Sequence, residues 1–241
     1  MSLQTWDARL LAQEATGSMP LPEPTRTEAI EYARSDLPGD LTWHREYFDF
    51  IDDEELRSRL GQEFYAARYL YKLWEGLRIE EDWAIQAQIQ LQVQQYASIY
   101  EACIHHLLFV EAAHEPEVEQ LFTFEALVER PLPGYIQNKI RALPSSDADD
   151  IVGAVRAVRK TQQSKIRFDS KVAAAVRLGI VDQKLGTEIA GYYTARNYIH
   201  IHAELRQKDL DWQLSFAREA YRRLEPFKTQ VVAWRSSRVS S

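Results

Sequence analysis

Hydrophobic residues recur at steps of three and four along most of the chain, the spacing of one buried face of an α-helix. The first long run is Leu56, Leu60, Phe64, Ala67, Tyr71, Trp74 and Leu77, with Asp52 and Glu55 in the spacing of a capping box ahead of it. The next run begins ambiguously, because Gln86, Gln88, Gln90, Gln92 and Gln94 alternate with Ala87, Ile89, Leu91 and Val93 as in a half-buried strand. Ile85, Ile89, Val93, Tyr96, Tyr100, Cys103, Leu107 and Val110 nevertheless keep helical steps with no turn signal between them. Gln, Leu and Ala favour helix, so one long helix is predicted from about 82 to 113, ending before Pro116.

Elsewhere the pattern breaks. Residues 17–40 carry GSMPLPEPTRTE and DLPGD, so residues 1–42 read as a partly extended arm with two short helices, ahead of one helical domain over 43–241. Trp6 and Trp43 suggest that parts of this arm dock. Pro131, Pro133 and Pro144 punctuate the region from Glu115 to Ser146, where a short strand or helix is expected around Phe122 to Val128. Asp149 or Asp150 is then expected to cap a helix carrying Ile151, Val155 and Val158. Another helix runs from about Ser170 and stops at Leu178-Gly179, and Asp182 caps a helix from about 183 to 206. Asp211 opens a last one with Leu214, Ala217, Tyr221, Leu224, Phe227, Val231 and Trp234, which Pro226 should kink or interrupt.

Composition narrows the class. The 241 residues include only 9 Gly and 9 Pro and are 45% hydrophobic, which favours an all-α fold over a sandwich or barrel. A single cysteine rules out an intramolecular disulfide framework and fits a reducing compartment. The longest apolar run, Val172 to Val176, is far too short to span a bilayer, and the N-terminus lacks a secretory pattern. A cytoplasmic protein without membrane contact is expected. The net charge of −7 argues against coating nucleic acid through overall charge, though it leaves room for a local basic patch.

The chemistry concentrates after Asp182, in LGTEIAGYYTARNYIHIHAEL. Its apolar stripe is Leu185, Ile189, Tyr192, Ile199 and Ala203, and Arg196 falls near the centre of that stripe. Stripping water from an unpaired guanidinium costs several kcal/mol, so Arg196 must meet a carboxylate, or this level of the stripe faces a cleft or a partner chain. His200 lies on the same side one turn on, with His202 rotated roughly 120° and Asn197 roughly 100° the other way. Such a set suits metal-free phosphodiester chemistry. A neutral imidazole exchanges a proton with a ribose 2′-hydroxyl or the leaving oxygen. Arginine holds the charge developing on phosphate, a polar amide orients either group, and a two-fold dimer doubles the set.

The segment Arg196-Asn197-Tyr198-Ile199-His200-Ile201-His202 resembles the signature of the HEPN superfamily, an arginine followed by a polar residue and, after four to six residues, a histidine. The long early helix (QVQQYASIYEACIHHLL), the Gly turn (RLGIVD), the signature helix and a closing helix follow in similar order. The architectural likeness covers roughly residues 85–235, and the sequence likeness about 168–205. The resemblance implies a HEPN-like helical bundle with an N-terminal extension and a long accessory helix, dimerising through its signature helices. It implies a metal-independent endoribonuclease of a prokaryotic defence or toxin–antitoxin system, with RNA as substrate, an antitoxin or defence-complex protein as partner, and no cofactor or metal. Family spacing selects His202, helix geometry favours His200, and Asn197 fills the polar position. Glu101 and Tyr198 are supporting residues, Glu101 as the partner of Arg196 on residue type alone. The alternatives are a non-catalytic HEPN-like dimerisation or nucleotide- or partner-binding module, and a structural helical adaptor.

Other features change this little. His105 and His106 point about 100° apart on a helix, which suits structural or surface histidines better than a metal site. Cys103 falls on the apolar stripe. Arg156, Arg159, Lys160, Lys165, Arg167 and Lys171 stand against one acid, Asp169, as a candidate phosphate-binding face, with a solvated helix surface as the competing reading. No Gly-rich phosphate loop, G-x-S-x-G elbow or dinucleotide fingerprint is present.

Overall fold

The computed structural model describes residues 21–78, 80–141, 153–197 and 214–239. The described chain is mainly helical, with one two-stranded sheet. Within the expected arm, residues 23–35 form helix α1 (Glu23–Ser35), and α2 (Leu41–Glu46) crosses its expected end at residue 42, while Trp6 lies outside the described residues. Both helices pack on α3 (Glu54–Leu77). Trp43 lies beside the buried Phe64, and Lys72 of α3 is paired with Asp36 just past α1.

Asp53, one residue later than the expected cap, holds the start of α3 by accepting from the Leu56 N–H at 2.9 Å. Asp52 instead faces Arg235, at 3.4 Å. The second run is one helix, α4 (Asp82–His106), continued by a π-helical turn over Leu107–Glu111. Helical steps therefore outweigh the glutamine alternation. One face of α4 (Ile89, Val93, Tyr96, Tyr100, Cys103 and Leu107) is buried. This helix is the spine of the bundle, touching α3 and three later helices.

Beyond α4 come the short α5 (Pro116–Glu119), strand β1 (Thr123–Glu129), α6 (Gly134–Arg141) and strand β2 (Ala154–Lys160). The strands pair antiparallel, from Thr123 opposite Lys160 to Glu129 opposite Ala154. This corrects the helix expected for Val155 and Val158, which stand in β2. Ile151 and its expected caps, Asp149 and Asp150, lie outside the described residues. β-branched residues suit a pleated surface, and pairing with β1 supplies the hydrogen bonds that a helix would otherwise provide.

Helix α7 (Phe168–Arg177) ends as its sequence predicts. Gly179 adopts φ 71°, the Gly179 N–H donates to the Val176 carbonyl and the Ile180 N–H to the Ala175 carbonyl, which together form a Schellman motif. Asp182 caps α8 (Gln183–Asn197) by accepting from the Leu185 N–H at 2.7 Å. That carboxylate also accepts from Gln230, tying α8 to the C-terminal helix. The closing segment is two helices, α9 (Leu214–Arg222) and α10 (Leu224–Val239). The break at Arg223 leaves Pro226 in the first turn of α10, where its missing N–H costs least. The buried Tyr100 hydroxyl donates to the Ala220 carbonyl at 2.7 Å and locks α9 onto the spine.

Candidate functional site around Arg196

Helix α8 is held from two sides. Its buried face is Leu185, Gly186, Ile189, Tyr192 and Ala195. Gly186 lets it approach α7 closely, since a Cβ there would sit 2.6 Å from Val176 Cγ2. Ala195 joins that face, and Arg196, in line with Leu185, Ile189 and Tyr192, is half-buried. Ile199 and Ala203, the rest of the expected stripe, lie outside the described residues.

Arg196 reaches toward the spine. Its Nη1 donates to Glu101 Oε2 at 2.5 Å, and the guanidinium carbon stands 5.5 Å from the centre of the Tyr193 ring. The Arg196 and Glu101 side chains are 31% and 32% exposed, so the pair is fixed but not sealed. Asn197 points another way. Together with Arg167, Phe168, Asp169, Tyr193 and Thr194 it lines an open cavity of about 250 Å³. Tyr193 borders that cavity and also stands beside Arg196. Tyr198, His200 and His202 lie outside the described residues.

The six predicted cations divide among several elements. Arg156, Arg159 and Lys160 are exposed on β2, and Lys165 is exposed in a 3-10 turn. Arg167 precedes α7 and is bound to Asp169 at 2.8 Å. Arg156 faces Glu125 at 3.7 Å. Lys171 is only 6% exposed. Its Nζ lies 3.4 Å from His105 Nδ1 and 5.8 Å from the centre of the Phe109 ring. Burial holds the Lys171 ammonium below the ordinary lysine range, while the nearby Glu101 charge opposes that shift.

His105 belongs to this group. It follows Glu101 by four residues on α4, so both occupy one face. Its Nε2 lies 3.0 Å from Gln163 Nε2. Burial first, and then the Lys171 charge, lower its pKa and favour the neutral imidazole. Glu101 therefore lies within electrostatic reach of Arg196, Lys171 and His105. Sequence reasoning assigned His105 a structural part and Lys171 a place on a basic surface. The four-residue spacing of Glu101 and His105 was the one signal that could have joined His105 to the site. Nothing in the sequence sets Lys171 opposite it.

Cys103 is fully buried and unpaired, with burial pushing its thiol far above the usual range. Among the described residues no three His, Cys, Asp or Glu side chains gather to hold a metal ion, and no helix is long and apolar enough to cross a membrane. Compared with protein-family models, curated proteins and solved structures, the chain finds no match.

Proposed function

We propose that this protein is a metal-independent endoribonuclease of HEPN type, cytoplasmic and homodimeric, serving a prokaryotic defence or toxin–antitoxin system. The observation that carries this reading is the setting of Arg196. A carboxylate and an aromatic ring orient the guanidinium, and a third of the side chain stays open to solvent. A phosphate approaching that edge would meet a cation already in position, which lowers the cost of arranging charge in the transition state. In this proposal His202 or His200 exchanges the proton with the ribose hydroxyl or the leaving oxygen, and Asn197 orients the substrate.

Incubation of RNA with the purified protein in EDTA tests this. Wild-type protein should cleave, and Arg196→Ala and His202→Ala should each lose about 10²–10³-fold in rate, the cost typical of removing a transition-state charge stabiliser. Intact RNA with folded wild-type protein would refute the enzyme. A second reading, a structural helical adaptor, draws on the same ion pair, because Arg196 has its partner within its own chain. On that reading Arg196→Ala leaves association with other chains unchanged, and RNA stays whole throughout.

A further inference from the structure

A second cavity, of about 170 Å³, opens between α3, α4 and α9. Arg68 and Tyr71 of α3, Tyr96 of α4, and Arg218, Tyr221 and Arg222 of α9 line it, and among the described residues no carboxylate does. The three guanidiniums come together by helix geometry. Arg68 and Tyr71 are three residues apart, and Arg218 and Arg222 are four apart, so each pair shares one face.

The polar accounting of this cavity is incomplete. Arg68 lies over the Tyr221 ring with its guanidinium carbon 4.4 Å from the ring centre, and its Nε is buried without a hydrogen-bond partner among the described residues. Arg218 donates from Nε and Nη2 to the Tyr71 hydroxyl, at 3.2 and 2.9 Å, so its guanidinium is anchored to a neutral group. No described carboxylate forms an ion pair with Arg68, Arg218 or Arg222, although ion pairs bind cations elsewhere along the chain. Glu75 and Glu80 line a neighbouring cavity that Arg218 also borders, without an ion pair to it. Glu75 is 3.5 Å from the Tyr71 hydroxyl and Asp36 pairs with Lys72. Three like charges around a concave, partly buried space repel one another, and a buried guanidinium N–H left unpaired is costly. Both conditions are relieved by one multivalent anion with several acceptor oxygens, the geometry for which arginine forks are suited.

We propose that this cavity is a binding site for a small phosphorylated molecule, its phosphate held by Arg68, Arg218 and Arg222 and its body lying among the tyrosine rings. The residues are distinct from those around Arg196, and the proposal stands whether or not the protein cleaves RNA.

Titration calorimetry with inorganic phosphate and with phenyl phosphate tests it, with chloride at equal ionic strength as the reference. Both probes should saturate a single site, phenyl phosphate more tightly. Arg68→Gln and the exposed Arg222→Gln should each weaken binding at least tenfold, with an unchanged far-ultraviolet circular dichroism spectrum, and Arg196→Ala should stay within twofold of wild type. Should Arg68→Gln fail to fold, Arg222→Gln alone decides. Heats no larger than those of chloride, affinities that the Arg222→Gln variant leaves unchanged, or loss of the site in Arg196→Ala would each overturn the proposal.

Discussion

Arg196 combines two properties that usually exclude each other, a fixed orientation and access to solvent. The Glu101 carboxylate supplies the first and the edge of the α4–α8 seam supplies the second. Because both side chains are about one-third exposed, the pair should contribute little to stability, within about 1 kcal/mol. Arg196→Ala and Glu101→Gln should therefore shift Tm by only a few degrees. If the site is catalytic, the same variants should reduce RNA cleavage far more than stability, and comparing thermal melts with cleavage rates checks this split.

Two histidines make a separate prediction. His44 is buried among aromatic rings, with Nδ1 2.7 Å from the Asp40 carbonyl oxygen, and His105 lies against Lys171. Burial depresses the pKa of each in the folded state. The unfolded chain, with ordinary histidines near 6.5, takes up protons first as pH falls. Stability is thus fully present above about pH 6.5 and declines below it. Urea unfolding between pH 7.5 and 5 should show this decline, and a His44→Phe variant should show a shallower one.

At the scale of elements, the turn from α7 into α8 sets where Arg196 comes to lie. Gly179 takes a left-handed conformation, and Asp182 caps α8 and binds Gln230. Backbone donation from Leu185 holds the Asp182 carboxyl below its usual range. Asp182→Ala should cost about 1 kcal/mol, as for other N-cap removals. Gly179→Ala should cost a similar amount, roughly 1 kcal/mol, because a Cβ disfavours that backbone region. Chemical denaturation of the two variants measures both.

These ends were legible because caps and Gly stops are local chemistry, readable from one or two side chains. The long α4 was legible because its period persists over many turns. β2 was not. Ala-Val-Arg-Ala-Val-Arg-Lys matches helix and strand templates about equally over so short a run, and its partner β1 lies more than twenty residues earlier in the chain. The Arg196–Glu101 pair was legible only as a guess from residue type, since nothing local to either residue fixes the packing of α8 on α4. The Lys171–His105 contact was not legible, because it depends on how α7 docks on the same spine.

For the molecule as a whole, α4 organises the bundle, and both candidate sites draw on it. Glu101 lies toward its C-terminal end and Tyr96 contributes to the arginine-lined cavity. The buried Tyr100 hydroxyl, bonded to the Ala220 carbonyl, joins α9 to this spine. Tyr100→Phe should cost about 1–3 kcal/mol by leaving a buried carbonyl without its donor, measurable as a lower denaturation midpoint.

RNA cleavage in EDTA by matched preparations of wild-type protein and Arg196→Ala is the most direct measurement. The predicted result is metal-independent cleavage by the wild type that falls by two to three orders of magnitude in the folded variant. Equal cleavage by the two proteins, or none by either, would contradict the account.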